Sequence, residues 1–266
     1  MAGLRILPVA ALVLWLGSTS VAPAAITCST ADYNGTYSFF STGNLVVLPP
    51  AGAVLLGQFS QAGTFTSDGQ GNVTIDSKAS YNGLIADGPA ITTYTVSPEC
   101  EVTYSLTLPF PLSVPSIFKG VLSARNKIAT VTIADPPGTV VIGRHVKQDI
   151  RFCGQSDFRG AYRIDIDGAI SGPASRAGRF HRLGRLVADG DGNFTVVSTG
   201  NYAGRLVQEN FSGTYEVTGR CSINMRYQNG GEEFTLFGTL GGTGDNASVM
   251  MTSQGWAVSG VFQAQQ

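Results

Sequence analysis

Short runs rich in Val, Ile, Thr, Tyr and Phe alternate with clusters of Gly, Asn, Asp and Pro roughly every 8 to 12 residues, and a helical period is almost absent. This pattern predicts an all-β chain with strands near 35–43, 56–67, 71–82, 90–97, 100–108, 117–125, 127–134 and 139–148. A second set is expected near 160–167, 177–188, 192–203, 210–218, 221–228, 233–241, 246–252 and 256–264. Connections of two to a few residues make sequential neighbours pair antiparallel, and Asp-Gly-x-Gly-Asn supplies residues that tolerate positive φ in a hairpin. An eight-stranded meander has two exposed edges unless it closes, and closure removes both while enclosing a core or one small ligand. The expected fold is therefore two tandem antiparallel up-and-down eight-stranded β-barrels. Immunoglobulin-like β-sandwiches are the alternative, disfavoured because a simple meander lacks the long Greek-key return.

The two sets are copies of one unit. Asp68–Thr74 (DGQGNVT) recurs as Asp189–Thr195 (DGDGNFT), and the same spacing carries Gly57, Phe59, Tyr81, Gly83, Tyr94 and Cys100 onto Gly178, Phe180, Tyr202, Gly204, Tyr215 and Cys221. Upstream, Cys28, Asp32, Gly35 and Tyr37 correspond to Cys153, Asp157, Gly160 and Tyr162 at a slightly larger spacing, and downstream Gly120 and Leu122 to Gly238 and Leu240 at a smaller one. Such small steps are what loop-length changes between two copies leave. The expected organisation is a leader over 1–25, a first barrel over 26–150 and a second over 151–266.

The Gly-x-Tyr openings, Gly35-Thr36-Tyr37 and Gly160-Ala161-Tyr162, stand where lipocalins carry Gly-x-Trp. With the meander pattern they make each repeat resemble the calycin-type barrels: lipocalins, avidins and the allene oxide cyclase-like barrels. Gly213-Thr214-Tyr215-Glu216-Val217 followed by Cys221 is also similar to a motif of uncharacterised secreted bacterial proteins. The resemblance implies a barrel fold and names no activity.

Meander parity turns loops into topography. Even-numbered loops are tight and polar in both copies, as in Asp68-Gly69-Gln70-Gly71 and Gly219-Arg220, and should close one end. Odd-numbered loops of the first copy are apolar: Leu45 through Leu56, including Leu48 and Leu55; Leu84-Ile85; and Leu108 through Pro115, including Phe110 and Leu112. Together they would ring one mouth, where apolar surface marks a ligand or partner site, or simply folds over to plug the barrel. Candidate ligand-binding residues are thus Leu48, Leu55, Phe110 and Leu112, with the recurring Tyr37 and Tyr162 as lumen-lining tyrosines, for which core packing is the competing role.

Export chemistry changes the picture next. Arg5, the apolar run Ile6–Leu16 and Ala22-Pro23-Ala24 form the three parts of a secretory signal peptide. No later stretch approaches about 18 uninterrupted apolar residues, so no transmembrane segment is expected and the predicted location is secreted or periplasmic. Removing Arg5 from 17 basic side chains against 18 acidic ones leaves a net charge of about −2, without the basic stripe a nucleic-acid binder needs. Four cysteines in an exported chain form bridges, predicted as Cys28–Cys100 and Cys153–Cys221, one per repeat. Each would close a loop of about 70 residues, worth about 4 kcal/mol in the chain-entropy account. Four cysteines nevertheless allow three connectivities.

Catalytic chemistry is sparse. A hydrolytic triad needs a base, and His145 and His181 are the two histidines, neither matched in the other copy. No zinc spacing occurs, Asp189-Gly190-Asp191-Gly192-Asn193 reads as a hairpin turn rather than a calcium loop, and no cofactor is expected. Asp32 and Asp157 read as turn caps. Arg176, Arg179, Arg182 and Arg185 with His181 form a basic cluster in the second copy. On a strand Arg182 points with Phe180 away from the others, either into the barrel toward an anionic ligand or outward if a bulge turns the strand. Five Asn-x-Ser/Thr sequences, at Asn34, Asn72, Asn193, Asn210 and Asn246, would accept glycans in a eukaryotic secretory pathway and be inert in a bacterium. The expected role is non-catalytic binding of a hydrophobic small molecule or surface partner, through the first barrel or the groove between barrels. An allene oxide cyclase-like isomerase and a structural envelope protein are the alternatives.

Overall fold

The computed structural model describes residues 27–45, 57–107, 115–123, 127–135, 139–150, 152–172 and 175–265. The leader over 1–25 lies outside them. Strands β1 (Asn34–Leu45), β2 (Gly57–Asp68), β3 (Asn72–Tyr81), β4 (Leu84–Val96), β5 (Glu101–Thr107), β6 (Pro115–Ser123), β7 (Ile128–Asp135) and β8 (Val140–Lys147) close into one antiparallel barrel. Strands β9 (Arg159–Ile170), β10 (Gly178–Asp189), β11 (Asn193–Tyr202), β12 (Arg205–Val217), β13 (Ser222–Asn229), β14 (Glu232–Gly241), β15 (Asn246–Met251) and β16 (Trp256–Ala264) close into a second. First and last strands meet from Tyr37↔Lys147 to Asn44↔Val140 and from Tyr162↔Ala264 to Ile170↔Trp256, which removes the open edges a sandwich would keep.

Strand bounds follow the alternation pattern closely except at β4 and β12, which start well before the expected 90 and 210. The cause lies in the turns. Asn82-Gly83 (φ 50°, 91°) and Ala203-Gly204 (φ 51°, 96°) both adopt the left-handed geometry that joins twisted strands in two residues. Leu84-Ile85, expected in a loop at the mouth, therefore opens a strand.

Both barrel floors are built the same way. A short 3₁₀ turn precedes each first strand, capped by Asp32 accepting from the Ser29 N–H and by Asp157 accepting from the Gly154 N–H, each at 2.8 Å. Tyr33 and Phe158 follow, both fully buried, and plug the floor. The repeated Tyr94 and Tyr215 hydroxyls donate to the carbonyls of these plugs, both at 2.7 Å. The disulfides Cys28–Cys100 and Cys153–Cys221 tie each lead-in to the floor turn opposite it. In the repeated Asp-Gly turn the Asp189 carboxylate accepts from the Asp191 and Asn193 N–H groups and from Asn193 Nδ2, and Asp68 does the same with Gln70 and Asn72. These bonds hold the Asp189 carboxyl down at about 2, its largest contribution coming from Asn193.

The barrels are joined wall to wall by small polar residues on the outer faces of β1–β3 and β14–β16. Ser38 donates to the Thr239 carbonyl (2.8 Å), and Thr239 Oγ1 donates to the Gly63 carbonyl (2.8 Å). Ser80 donates to the Trp256 carbonyl (2.7 Å) and Ser259 to the Ser41 carbonyl (2.9 Å). All four donating side chains are buried. At the mouth end the backbones of Gly83 and Gly255 touch: a Cβ on Gly83 would lie 2.3 Å from the Gly255 Cα. Because the two walls share buried hydrogen bonds, both barrels should unfold in a single urea transition. Thr239→Val, nearly isosteric but unable to donate to Gly63, should lower its stability by about 1–3 kcal/mol.

Candidate functional site

Antiparallel register aligns corresponding inward positions of the two barrels, and side-chain size at those positions separates them. In the second barrel Ile166, Arg182, Val207, Glu209, Phe211 and Phe234 face inward from β9, β10, β12 and β14. Their counterparts in the first barrel are Ser41, Gln61, Ala86, Gly88, Ala90 and Ser116. Every exchange removes volume. The bulk the first barrel does carry, Phe39, Phe65, Tyr104 and Phe118, replaces Ile164, Leu186, Met225 and Leu236, and joins Tyr33 in a ring cluster toward the floor.

Among the described residues β4 pairs with β5 only over Tyr94–Val96, and β12 with β13 only over Gly213–Val217, so the earlier halves of β4 and β12 run past the described ends of their neighbours and leave a gap in the second wall. In the second barrel side chains fill the gap. Arg182 enters the lumen and forms a bidentate pair with Glu209 (Nε–Oε2 2.9 Å, Nη2–Oε1 3.1 Å). The Tyr202 hydroxyl (2.7 Å) and Asn229 Nδ2 (2.8 Å) also donate to Glu209, the latter across the gap from the end of β13. Arg182 Nη1 donates to the Tyr227 hydroxyl (3.0 Å), and its guanidinium lies over the Phe180 and Phe211 rings. Burial works against the Arg182 charge, but Tyr227, Glu209 and Tyr202 outweigh it and raise its pKa above the ordinary value. The void left among these residues is about 20 Å³, room for roughly one water.

In the first barrel the inward residues of the overhanging β4 segment, Ala86, Gly88 and Ala90, are partly buried, Ala86 and Ala90 packing against the core, and a Cβ built on Gly88 meets nothing within 4 Å among the described residues. Gln61 Nε2 donates to Ser77 Oγ (2.8 Å). Tyr81, the counterpart of Tyr202, is fully buried against Phe59, and its hydroxyl has no hydrogen-bond partner. The phenol is retained while both members of the ion pair that engage it in the other barrel are replaced.

The residues singled out in the sequence fall in different places. Leu48, Leu55, Phe110 and Leu112 lie outside the described residues. Tyr37 and Tyr162 point inward at the floor, the Tyr37 ring tilted against that of Tyr33 with centroids 4.6 Å apart and Tyr162 donating to the Gly244 carbonyl (3.0 Å). Arg182 faces inward as the alternation required, and Glu209 of the same chain meets its charge. Arg179 and His181 face outward to Asp167 and Asp165. His145 sits in the floor cluster of the first barrel, its Nδ1 2.5 Å from the Tyr33 hydroxyl and its Nε2 unpartnered. Among the described residues no group of three or more His, Cys, Asp or Glu converges as a metal site, and no helix is long and apolar enough to cross a membrane. Tyr81, Glu209 and Gly88 were missed. The signal was present in the copy alignment, which pairs Gln61 with Arg182 and Gly88 with Glu209.

No family model and no curated protein matches the sequence. The two closed eight-stranded barrels are consistent with a calycin-like fold.

Two outcomes follow from the buried charges. Glu209→Gln leaves the Arg182 guanidinium buried without its counter-charge and should cost about 3–5 kcal/mol, whereas the double replacement Arg182→Met with Glu209→Leu should cost far less; denaturant titration separates them. Burial holds the His145 pKa down at about 3, against about 6.5 when unfolded. Between these values the unfolded chain binds the extra proton, so this contribution to stability is complete above pH 6.5 and declines as pH falls. From pH 7 to 5 the wild type should lose about 2 kcal/mol more than His145→Phe, the residue found at the equivalent Phe262.

Proposed function

We propose that this is an exported, non-catalytic protein of calycin-like architecture whose first barrel holds a hydrophobic small molecule against the small residues of β4, while the second barrel is a filled structural copy. The single observation that carries the reading is the exchange of Val207, Glu209 and Phe211 for Ala86, Gly88 and Ala90 along one overhanging strand, with open space at Gly88. Small-molecule sites are mostly apolar in lining with a few placed polar groups, and the aromatic cluster below this small-residue wall with the Tyr81 hydroxyl beside it has that composition. The two disulfides support an oxidising compartment. An isomerase similar to the allene oxide cyclases stands second, favoured by the buried Tyr81 hydroxyl, which a shape-directed cyclisation could use as its polar contact.

The test is titration of the protein with the neutral fluorescent probe N-phenyl-1-naphthylamine. One saturable site per chain is expected, and Ala90→Phe, which installs the second barrel's Phe211, should abolish binding while leaving thermal unfolding intact. Absence of binding to the wild type, or unchanged binding to Ala90→Phe, would sink the proposal.

A further inference from the structure

The class of ligand can be read from what replaces the ion pair, on the premise that the first lumen is a binding site. In the second barrel the Tyr202 hydroxyl is satisfied twice, donating to Glu209 Oε1 (2.7 Å) and accepting from Arg182 Nη2 (3.3 Å). In the first barrel the phenol remains as Tyr81, but Gly88 and Gln61 stand where Glu209 and Arg182 would be. Loss of either charge alone would leave its partner buried and unpaired, so the two are lost together. What is left is a fully buried hydroxyl with no partner, and at Gly88, where the other copy carries its Glu209 carboxylate, a position at which an added Cβ meets nothing within 4 Å among the described residues. Buried polar groups are normally hydrogen-bonded, and an orphan of this kind marks the place where a ligand atom belongs.

The lining also fixes the charge of that atom. The described inward residues around Tyr81 are Phe59, Gln61, Ser77, Ala79, Ala86 and Gly88, none of them cationic or anionic at neutral pH. Lys78 on the same stretch points outward, paired with Asp87 and lying over Phe237 of the second barrel. A carboxylate or ammonium brought to Tyr81 would lose its hydration without a counter-charge, whereas a hydroxyl or carbonyl would exchange one hydrogen bond for another. Burial raises the Tyr81 pKa, so the phenol stays protonated and can both donate and accept.

We infer that the first barrel selects an uncharged, mainly apolar molecule bearing a single hydroxyl or carbonyl group, seated on the Tyr81 hydroxyl where the second barrel holds its own Glu209 carboxylate. Competition against bound N-phenyl-1-naphthylamine at pH 8 tests this with 1-octanol and 1-dodecanol against octanoate and dodecanoate. The alcohols should displace the probe at concentrations at least about tenfold lower than the matching carboxylates. Tyr81→Phe should weaken the alcohols about tenfold more than it weakens the probe. Gln61→Arg, which restores the cation, should turn the preference toward the carboxylates. Carboxylates competing as well as alcohols in the wild type, or an unchanged alcohol affinity in a folded Tyr81→Phe, would overturn the inference with the binding site itself intact. Failure of the probe to bind at all would instead remove the site, and the inference with it.

Discussion

Closure of an eight-stranded antiparallel sheet is the constraint from which the rest of this molecule follows. Once β1 pairs with β8, and β9 with β16, strand number and stagger set the width of the lumen, and the side chains that enter it are chosen by alternation alone. The space inside is then a matter of side-chain volume. Two copies of one frame can therefore differ in what lines the lumen, large and charged side chains along β12 in one and small ones along β4 in the other, without any change in the hydrogen-bonded wall. The same closure explains the plugged floors: a barrel end exposes the inward rings of every strand, and Tyr33 or Phe158, held by the hydroxyl of Tyr94 or Tyr215, covers them.

The Arg182–Glu209 pair shows how costly the filled solution is to specify. A guanidinium inside a barrel needs its charge and its donors met, and the chain supplies Glu209, Tyr202, Tyr227 and a stack of rings to do so. Buried pairs of this type contribute less to stability than to uniqueness of packing, because desolvation offsets most of the attraction. Their removal from one copy is thus tolerable in energy and decisive for shape.

The contact between barrels runs on a different chemistry. Ser38, Ser80, Thr239 and Ser259 are small enough to let two sheets approach and polar enough to bond to each other's carbonyls. Apolar residues at these positions would hold the walls further apart and leave outer carbonyls without donors. The wall of the second barrel that corresponds to the buried face of the first carries Arg179, His181 and Leu183 instead of Gln58, Ser60 and Ala62, since that face is open to solvent apart from the bond from Arg179 Nη1 to Gln58 Oε1 of the first barrel (3.2 Å).

Much of this was legible in the residues themselves. Period-two alternation, Asp-Gly turns and the internal repeat prescribe two barrels and most strand bounds and put Arg182 on the face of Phe180, because alternation is a local property of an extended chain, while leaving open whether a bulge turns that face outward. The paired cysteines likewise point to one bridge in each copy. What lay beyond local pattern depends on neighbours distant in the chain. That Glu209 rather than a ligand meets Arg182 follows from β10 and β12 facing one another across the lumen through β11, and that Tyr81 is left unpartnered follows from the absence of that same pair. The burial of serines between two barrels could not be inferred from alternation, which distinguishes inside from outside but not an outer face in water from one against a second barrel. Sequence determined the frame and which side chains share a face; only tertiary structure decided which buried groups meet a partner and which wall is covered, because volume and partnership are properties of residues brought together from far apart.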